Sequence, residues 1–97
     1  MALELRPSCE ACGRSLPPDS TEAMICSFEC TFCRTCVETL LSNVCPNCGG
    51  GLERRPIRPR GKLADHPAST REIRKPVAAD AHARFAAELK DVPPERR

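Results

Sequence analysis

Eight cysteines, Cys9, Cys12, Cys26, Cys30, Cys33, Cys36, Cys45 and Cys48, lie in the first half of this 97-residue chain, and none lies in the second. They fall into four pairs, each separated by two or three residues. A gap of that size lets two sulfurs reach one metal ion at ~2.3 Å. Cysteines so close in sequence are poorly placed to form a disulfide within a regular scaffold. Eight thiols make two tetrahedral four-sulfur sites with no cysteine left over. An all-thiolate ligand set suits zinc, a redox-inert ion that tolerates soft ligands. A site closed by four sulfurs has no open position for a substrate, and a catalytic cysteine would need an electropositive setting with a base beside it. The two histidines, His66 and His82, stand far from the cysteines in the chain and are expected on the surface. The cysteines therefore point to two structural Zn2+ ions and a non-enzymatic protein.

Four pairs combine into two sites in three ways. In an interleaved arrangement Cys9, Cys12, Cys33 and Cys36 hold one ion while Cys26, Cys30, Cys45 and Cys48 hold the other. In a nested arrangement Cys26, Cys30, Cys33 and Cys36 form one compact site, as dense as an iron–sulfur ligand run, and the outer pairs form a zinc ribbon. A sequential arrangement joins the first two pairs and the last two. The interleaved one is adopted here, since it makes each ion staple distant segments.

The elements that must position these sulfurs are few. A domain of about 50 residues buries too little apolar surface to stand without a staple, and aromatic residues make up only 3% of the chain, as Phe28, Phe32 and Phe85. A large substrate-binding enzyme and a doubly wound nucleotide-binding fold are excluded. Leu3 and Leu5 alternate with polar neighbours and suggest a short strand. Ala23 to Phe32 reads as a hairpin wrapped around Cys26 and Cys30, with Phe28 and Phe32 as core filler. Residues 34–43 are the best helix in the head, because Val37, Leu40, Leu41 and Val44 share one face. Cys45-Pro46-Asn47-Cys48-Gly49-Gly50 forms a tight knuckle in which glycine permits positive φ.

Composition breaks at Gly49-Gly50-Gly51. Residues 1–52 form the two-zinc domain. Residues 53–76 read as an extended basic strap, with five basic residues between Arg54 and Lys62 and with Pro56 and Pro59 excluding a regular helix. Ser69 or Thr70 can cap a short turn there. Residues 77–92 suggest a short amphipathic helix whose stripe is Val77, Ala81, Phe85 and Leu89, docked on its own head or on a partner. Pro93 and Pro94 end it, and 93–97 is expected to be a disordered tail. The head carries six acidic and three basic side chains, a formal −3. Eight thiolates on two divalent ions make it more acidic still, so the chain's formal +2 is no argument for nucleic acid. The start, MALELRPSCE, lacks the apolar run of a signal peptide, and no stretch is long enough to span a membrane. A cytoplasmic location, where thiols stay reduced, is the expectation.

The order of the eight ligands resembles a RING-type cross-brace zinc domain with cysteine in place of the usual histidine at the fourth ligand. Phe32-Cys33-Arg34-Thr35-Cys36-Val37 is similar to the stretch entering a RING helix, and Cys45-Pro46-Asn47-Cys48 to its closing segment. Residues 1–76 more closely resemble the bacterial domain-of-unknown-function 1272 family. The resemblance rests on Met1-Ala2-Leu3-Glu4-Leu5-Arg6-Pro7, Ile25-Cys26-Ser27-Phe28-Glu29-Cys30-Thr31-Phe32-Cys33, Val44-Cys45-Pro46-Asn47-Cys48-Gly49-Gly50 and Pro67-Ala68-Ser69-Thr70. It implies metal ligation and no known activity. Three departures from ubiquitin-ligase RINGs speak against ligase chemistry. Gly49 stands where active ligases often place a basic residue, no aromatic lies between Cys36 and Cys45, and the gap there is only eight residues. A bacterial chain would moreover have no ubiquitin to transfer.

The fold expected is a small metal-stapled RING-like or treble-clef domain with a short hairpin and one helix, followed by the strap and a last helix. The function expected is that of an adaptor for a protein partner, with no membrane and no small-molecule substrate. Nucleic-acid binding through Arg54–Lys62 is the alternative, and an iron–sulfur role a more distant one. Each zinc contributes about 10 kcal/mol to folding. Chelation is therefore expected to abolish the head's circular dichroism and protease resistance, and an unchanged spectrum would refute a metal-stapled fold.

Overall fold

The computed structural model describes residues 2–97; Met1, the first residue of the family-like segment, lies outside them. Strands Ala23–Ile25 (β1) and Thr31–Cys33 (β2) pair antiparallel, with Ala23 opposite Cys33, Met24 opposite Phe32 and Ile25 opposite Thr31. This is the hairpin expected around Cys26 and Cys30. Its turn is closed by the Cys26 N–H to the Cys30 carbonyl (3.2 Å) and the Glu29 N–H to the Cys26 carbonyl (3.0 Å). Glu29 adopts a left-handed φ of 65°. The turn leaves Phe28 at its tip, 71% exposed, whereas Phe32 is buried at 1%. Phe28 is thus not the core filler its type suggested: the turn, not the hydropathy of the residue, sets its place.

Chain reversal into the helix follows directly from β2. Arg34–Cys36 (α1) starts at Cys33 and widens into a π-helical turn over Val37–Leu41. Two left-handed residues, Ser42 at φ 52° and Asn43 at φ 57°, end it. Val37 and Leu41 are buried and Val44 beyond them is fully enclosed, as the shared apolar face predicts. The core consists of Leu16, Ala23, Phe32, Val37, Leu41 and Leu52 packed among five buried cysteines. The sulfurs are therefore part of the core as well as its staple.

The strand expected at Leu3 and Leu5 does not form. Leu5 is buried and Leu3 half-exposed, in keeping with the alternation. The backbone bonds, however, go elsewhere: the Glu4 N–H donates to the Glu29 carboxylate, and the Leu5 carbonyl accepts the Ser69 N–H at 3.0 Å.

A third strand, Glu53–Arg54 (β3), pairs with the free edge of β1, so the sheet order is β2-β1-β3. It continues the chain out of the head and into the strap without a break. Arg55 follows with 1% exposure. Its guanidinium donates to the carbonyls of Arg6 (2.9 Å), Leu16 (3.1 Å) and Pro17 (2.9 Å). A buried charge is tolerated only where its donors are matched, and three carbonyls from two loops match them. Burial holds the Arg55 pKa below its ordinary value, with Arg58 adding repulsion. Arg58 likewise donates to the carbonyls of Leu3 (2.6 Å) and His66 (2.8 Å). The basic segment is anchored to backbone oxygen, not to the carboxylates of the head.

Farther along, the strap crosses the first cysteine loop. Lys75 N–H donates to the Glu10 carbonyl (2.8 Å) and Arg74 Nε to the Ala11 carbonyl (3.3 Å). Ser69 makes the expected local turn, its Oγ accepting the Arg71 N–H at 3.0 Å.

The last helix, Ala79–Ala87 (α2), is shorter than the expected 77–92 and packs on the π-helical turn of its own head. Its buried face is also offset from the apolar stripe. His82 and Ala86 are enclosed, while Ala81 is exposed and Phe85 remains 44% exposed. His82 is not a surface residue: it is 4% exposed, and its Nε2 pairs with the Leu41 carbonyl at 2.9 Å. Small and polar residues form the contact because the helix lies close to backbone. Phe85 and Leu89 flank the contact over Gly49, where a Cβ would meet Leu89 at 3.0 Å.

The last residues, 93–97, expected as a disordered tail, make a turn and contacts to the head. Pro94–Arg96 forms a 3-10 turn, and Arg97 donates to the carbonyls of Val92 (2.9 Å), Asn43 (2.8 Å) and Gly49 (3.3 Å). Pro94 sits so close to Gly51 that a Cβ there would lie 2.7 Å from the ring. Among the described residues no helix is long and apolar enough to cross a membrane.

Arg55 carries the clearest prediction of this architecture. Arg55→Ala strands three carbonyls and is expected to cost about 3 kcal/mol in chemical denaturation of the metal-loaded chain. A loss below 0.5 kcal/mol, the size of an ordinary surface substitution, would refute the anchoring role.

Candidate metal centres

All eight cysteines are free thiols. The sulfurs of Cys9, Cys12, Cys33 and Cys36 lie within 4.8 Å of one another, and so do those of Cys26, Cys45 and Cys48. Cys30 stands outside that second group; its sulfur accepts a hydrogen bond from Asn47 Nδ2 at 3.4 Å. The first and third pairs are thus brought together, and one residue of the second pair joins the fourth. Cys33 and Cys36 do not gather with Cys26 and Cys30, so the nested and sequential groupings do not match these positions.

Two loops of one design present the sulfurs. In the first, the Gly13 N–H donates to the Cys9 carbonyl (2.9 Å) and Gly13 has φ +81°. In the second, the Gly49 N–H donates to the Cys45 carbonyl (2.8 Å) and Gly49 has φ +78°. Cys-x-x-Cys-Gly occurs at both places, and the repeated glycine offset is the signal by which Gly13 could have been read beside Gly49. Only glycine adopts this backbone without strain while turning amides towards sulfur. The Gly50 N–H reaches Cys48 Sγ at 3.4 Å, and the Phe28 N–H reaches Cys26 Sγ at 3.3 Å. Secondary structure places the other pair: Cys33 ends β2 and Cys36 ends α1.

The first cluster has the dimensions of a metal site. Four ligands at ~2.3 Å in a tetrahedron stand about 3.8 Å apart, and the sulfurs of Cys12 and Cys33 are 3.7 Å apart. Burial, together with the neighbouring sulfur charge, pushes the thiols of Cys33 and Cys36 up. Burial also opposes ionisation of Cys12, but the Arg14 backbone N–H and the neighbouring thiols donate to its sulfur and bring it down overall. Sulfurs so packed favour one anion and resist the others. A divalent cation among them removes that conflict and lets all four ionise. The same holds in the second cluster, where burial first and then the charges of Cys26 and Cys30 push Cys45 up. Both clusters can hold a metal ion.

Two carboxylates to which the cysteine spacing gives no pointer tie these loops to the rest of the chain. Glu10, inside the first loop, is 2% exposed. Its Oε2 accepts the Thr31 N–H (2.7 Å) and Arg6 Nη1 (2.9 Å), while its own N–H donates to the Thr31 carbonyl (3.0 Å). Thr31 follows Cys30, so Glu10 joins the loop of one cluster to the strand beside the other. Glu4 accepts from Arg71 (2.7 Å), Ser69 (3.0 Å) and Arg6 (3.1 Å). The Arg71 guanidinium, seconded by Arg6 and Ser69 and only partly opposed by burial, holds the Glu4 carboxyl down at about 2.

A carboxyl with a depressed folded pKa stabilises the fold above its unfolded value and loses that contribution as pH falls through the folded one. Glu4→Gln is therefore expected to lower the thermal midpoint by a near-constant amount from about pH 6 to about pH 8, where Glu4 is ionised in both states and the thiolates can keep their metal. An unchanged midpoint at neutral pH would refute the assignment. Glu10→Ala leaves the buried Thr31 amide without its acceptor and Arg6 with Glu4 alone, and is expected to cost about 2 kcal/mol. Urea titration at pH 7 checks this, and a neutral result would show that the loops are joined by sulfur alone.

No solved structure matches the chain. An uncharacterized protein of Rhizobium meliloti (strain 1021) is 62% identical over 74 residues, covering 76% of this chain and 88% of that protein. The family model described as protein of unknown function (DUF1272) matches residues 2–58, a span that holds every cysteine of both clusters and the strand that follows them. On these residues the chain belongs to the DUF1272 family.

Proposed function

We propose that this chain is a non-enzymatic zinc protein whose rigid head serves as an adaptor for a protein partner. Cys9, Cys12, Cys33 and Cys36 hold one Zn2+. Cys26, Cys30, Cys45 and Cys48 hold the other, with a small inward movement of Cys30 completing the set. The head is then a cross-braced domain of RING-like type. The observation that carries the reading is the sorting of seven of the eight free thiols into two groups that interleave along the chain. Four thiolates on each ion leave no coordination position for a substrate, which supports a structural role over a catalytic one.

The partner surface is the tip of the β1–β2 hairpin. Phe28 is a large apolar side chain held 71% exposed on a turn that the neighbouring sulfur fixes. An aromatic presented on a rigid support is the usual anchor of a protein interface. The basic segment supports nucleic-acid binding less well, because Arg55 and Arg58 are already committed to carbonyl oxygens.

Elemental analysis and a visible spectrum of anaerobically purified protein test the metal assignment. Two zinc ions per chain and no colour are expected; iron with a brown chromophore would overturn it. For the adaptor role, affinity capture should retain a partner with the parent chain and lose it with Phe28→Asp. Salt-sensitive retention of nucleic acid in filter binding, with no protein captured, would replace the adaptor reading.

A further inference from the structure

We propose that residues 82–97 form a latch on the second cysteine cluster and set the rate at which it exchanges its metal. The inference rests on the zinc-binding reading above and adds regulation to one of its two sites.

The latch closes on both ends of the Cys45–Cys48 loop. Before the loop, His82 Nε2 pairs with the Leu41 carbonyl (2.9 Å), and Arg97 donates to the Asn43 carbonyl (2.8 Å). After it, Arg97 donates to the Gly49 carbonyl (3.3 Å), while Phe85 and Leu89 lie over Gly49 and Pro94 over Gly51. Metal leaves a closed four-sulfur site by dissociation of one sulfur at a time. Cys48 is the exposed member of this cluster and Cys12 that of the first. Opening the knuckle around Cys48 breaks the bond from the Gly49 N–H to the Cys45 carbonyl and takes Gly49 out of its left-handed turn. Arg97 holds the far side of that residue and opposes the opening.

The two clusters are not latched alike. The first is crossed by Arg74 and Lys75 of the strap, and residues 82–97 make none of the contacts just described to it. Loss of the latch should therefore be felt at one ion only.

Zinc release from the full-length chain into excess chromogenic chelator, followed in time after the zinc content has been measured, tests this. Arg97→Ala is expected to accelerate one of two zinc equivalents about ten-fold, the scale of one hydrogen bond with a charged donor, and to leave the other unchanged. His82→Ala should do the same, and the exposed Arg84→Ala should behave as the parent. Alkylation should mark Cys45 and Cys48 along with the fast equivalent, with Cys9 and Cys12 still protected. Unchanged release in Arg97→Ala at full zinc content, or equal acceleration of both equivalents, overturns the latch alone. A parent chain that carries no zinc overturns the metal reading and the latch with it.

Discussion

Interleaving is the constraint on which everything else depends. The chain enters one cluster at Cys9 and Cys12, passes the other at Cys26, returns at Cys33 and Cys36, and leaves through Cys45 and Cys48. Neither cluster can assemble while the other's segments are far away. In a head with so few large apolar residues, this mutual dependence replaces the cooperativity that a bigger core would supply. Glu10 belongs to the same logic, because it fixes a loop of the first cluster to the strand entering from the second.

The cysteine spacing made the hairpin, the helix after it and the glycine knuckle legible, because each is dictated by local rules: a ligand gap, an apolar face and a positive φ. What could not be read followed from contacts between distant residues. Arg55 looks like one basic residue of a run, yet it is buried, because two distant loops happen to offer carbonyls where its guanidinium arrives. His82 has the hydropathy of a surface residue and is buried for the same kind of reason. Phe28 shows the opposite failure, since an aromatic between two ligands reads as core although the turn points it outward.

The second half of the chain is better described as a belt than as a linker. Its first part adds β3 to the sheet and seats Arg55; its middle crosses the Cys9–Cys12 loop; its end crosses the Cys45–Cys48 loop. Most of these bonds join an N–H of the belt to a backbone carbonyl of the head. Such contacts ask little of the head's side chains beyond leaving room, so a belt of this kind can be fitted to a metal-stapled core without redesigning it.

Room is the one thing the belt does demand, and Gly51 shows what that implies. The residue is within the segment that matches the family model, while Pro94, which would strike any Cβ placed there, is outside it. The requirement for glycine at position 51 is thus imposed on the shared head by an extension beyond it. Without the Pro94 ring, the nearest neighbour of a side chain at this position would be Asn43 at ordinary contact distance, so the demand for glycine comes from the far end of the belt and not from the cluster beside it.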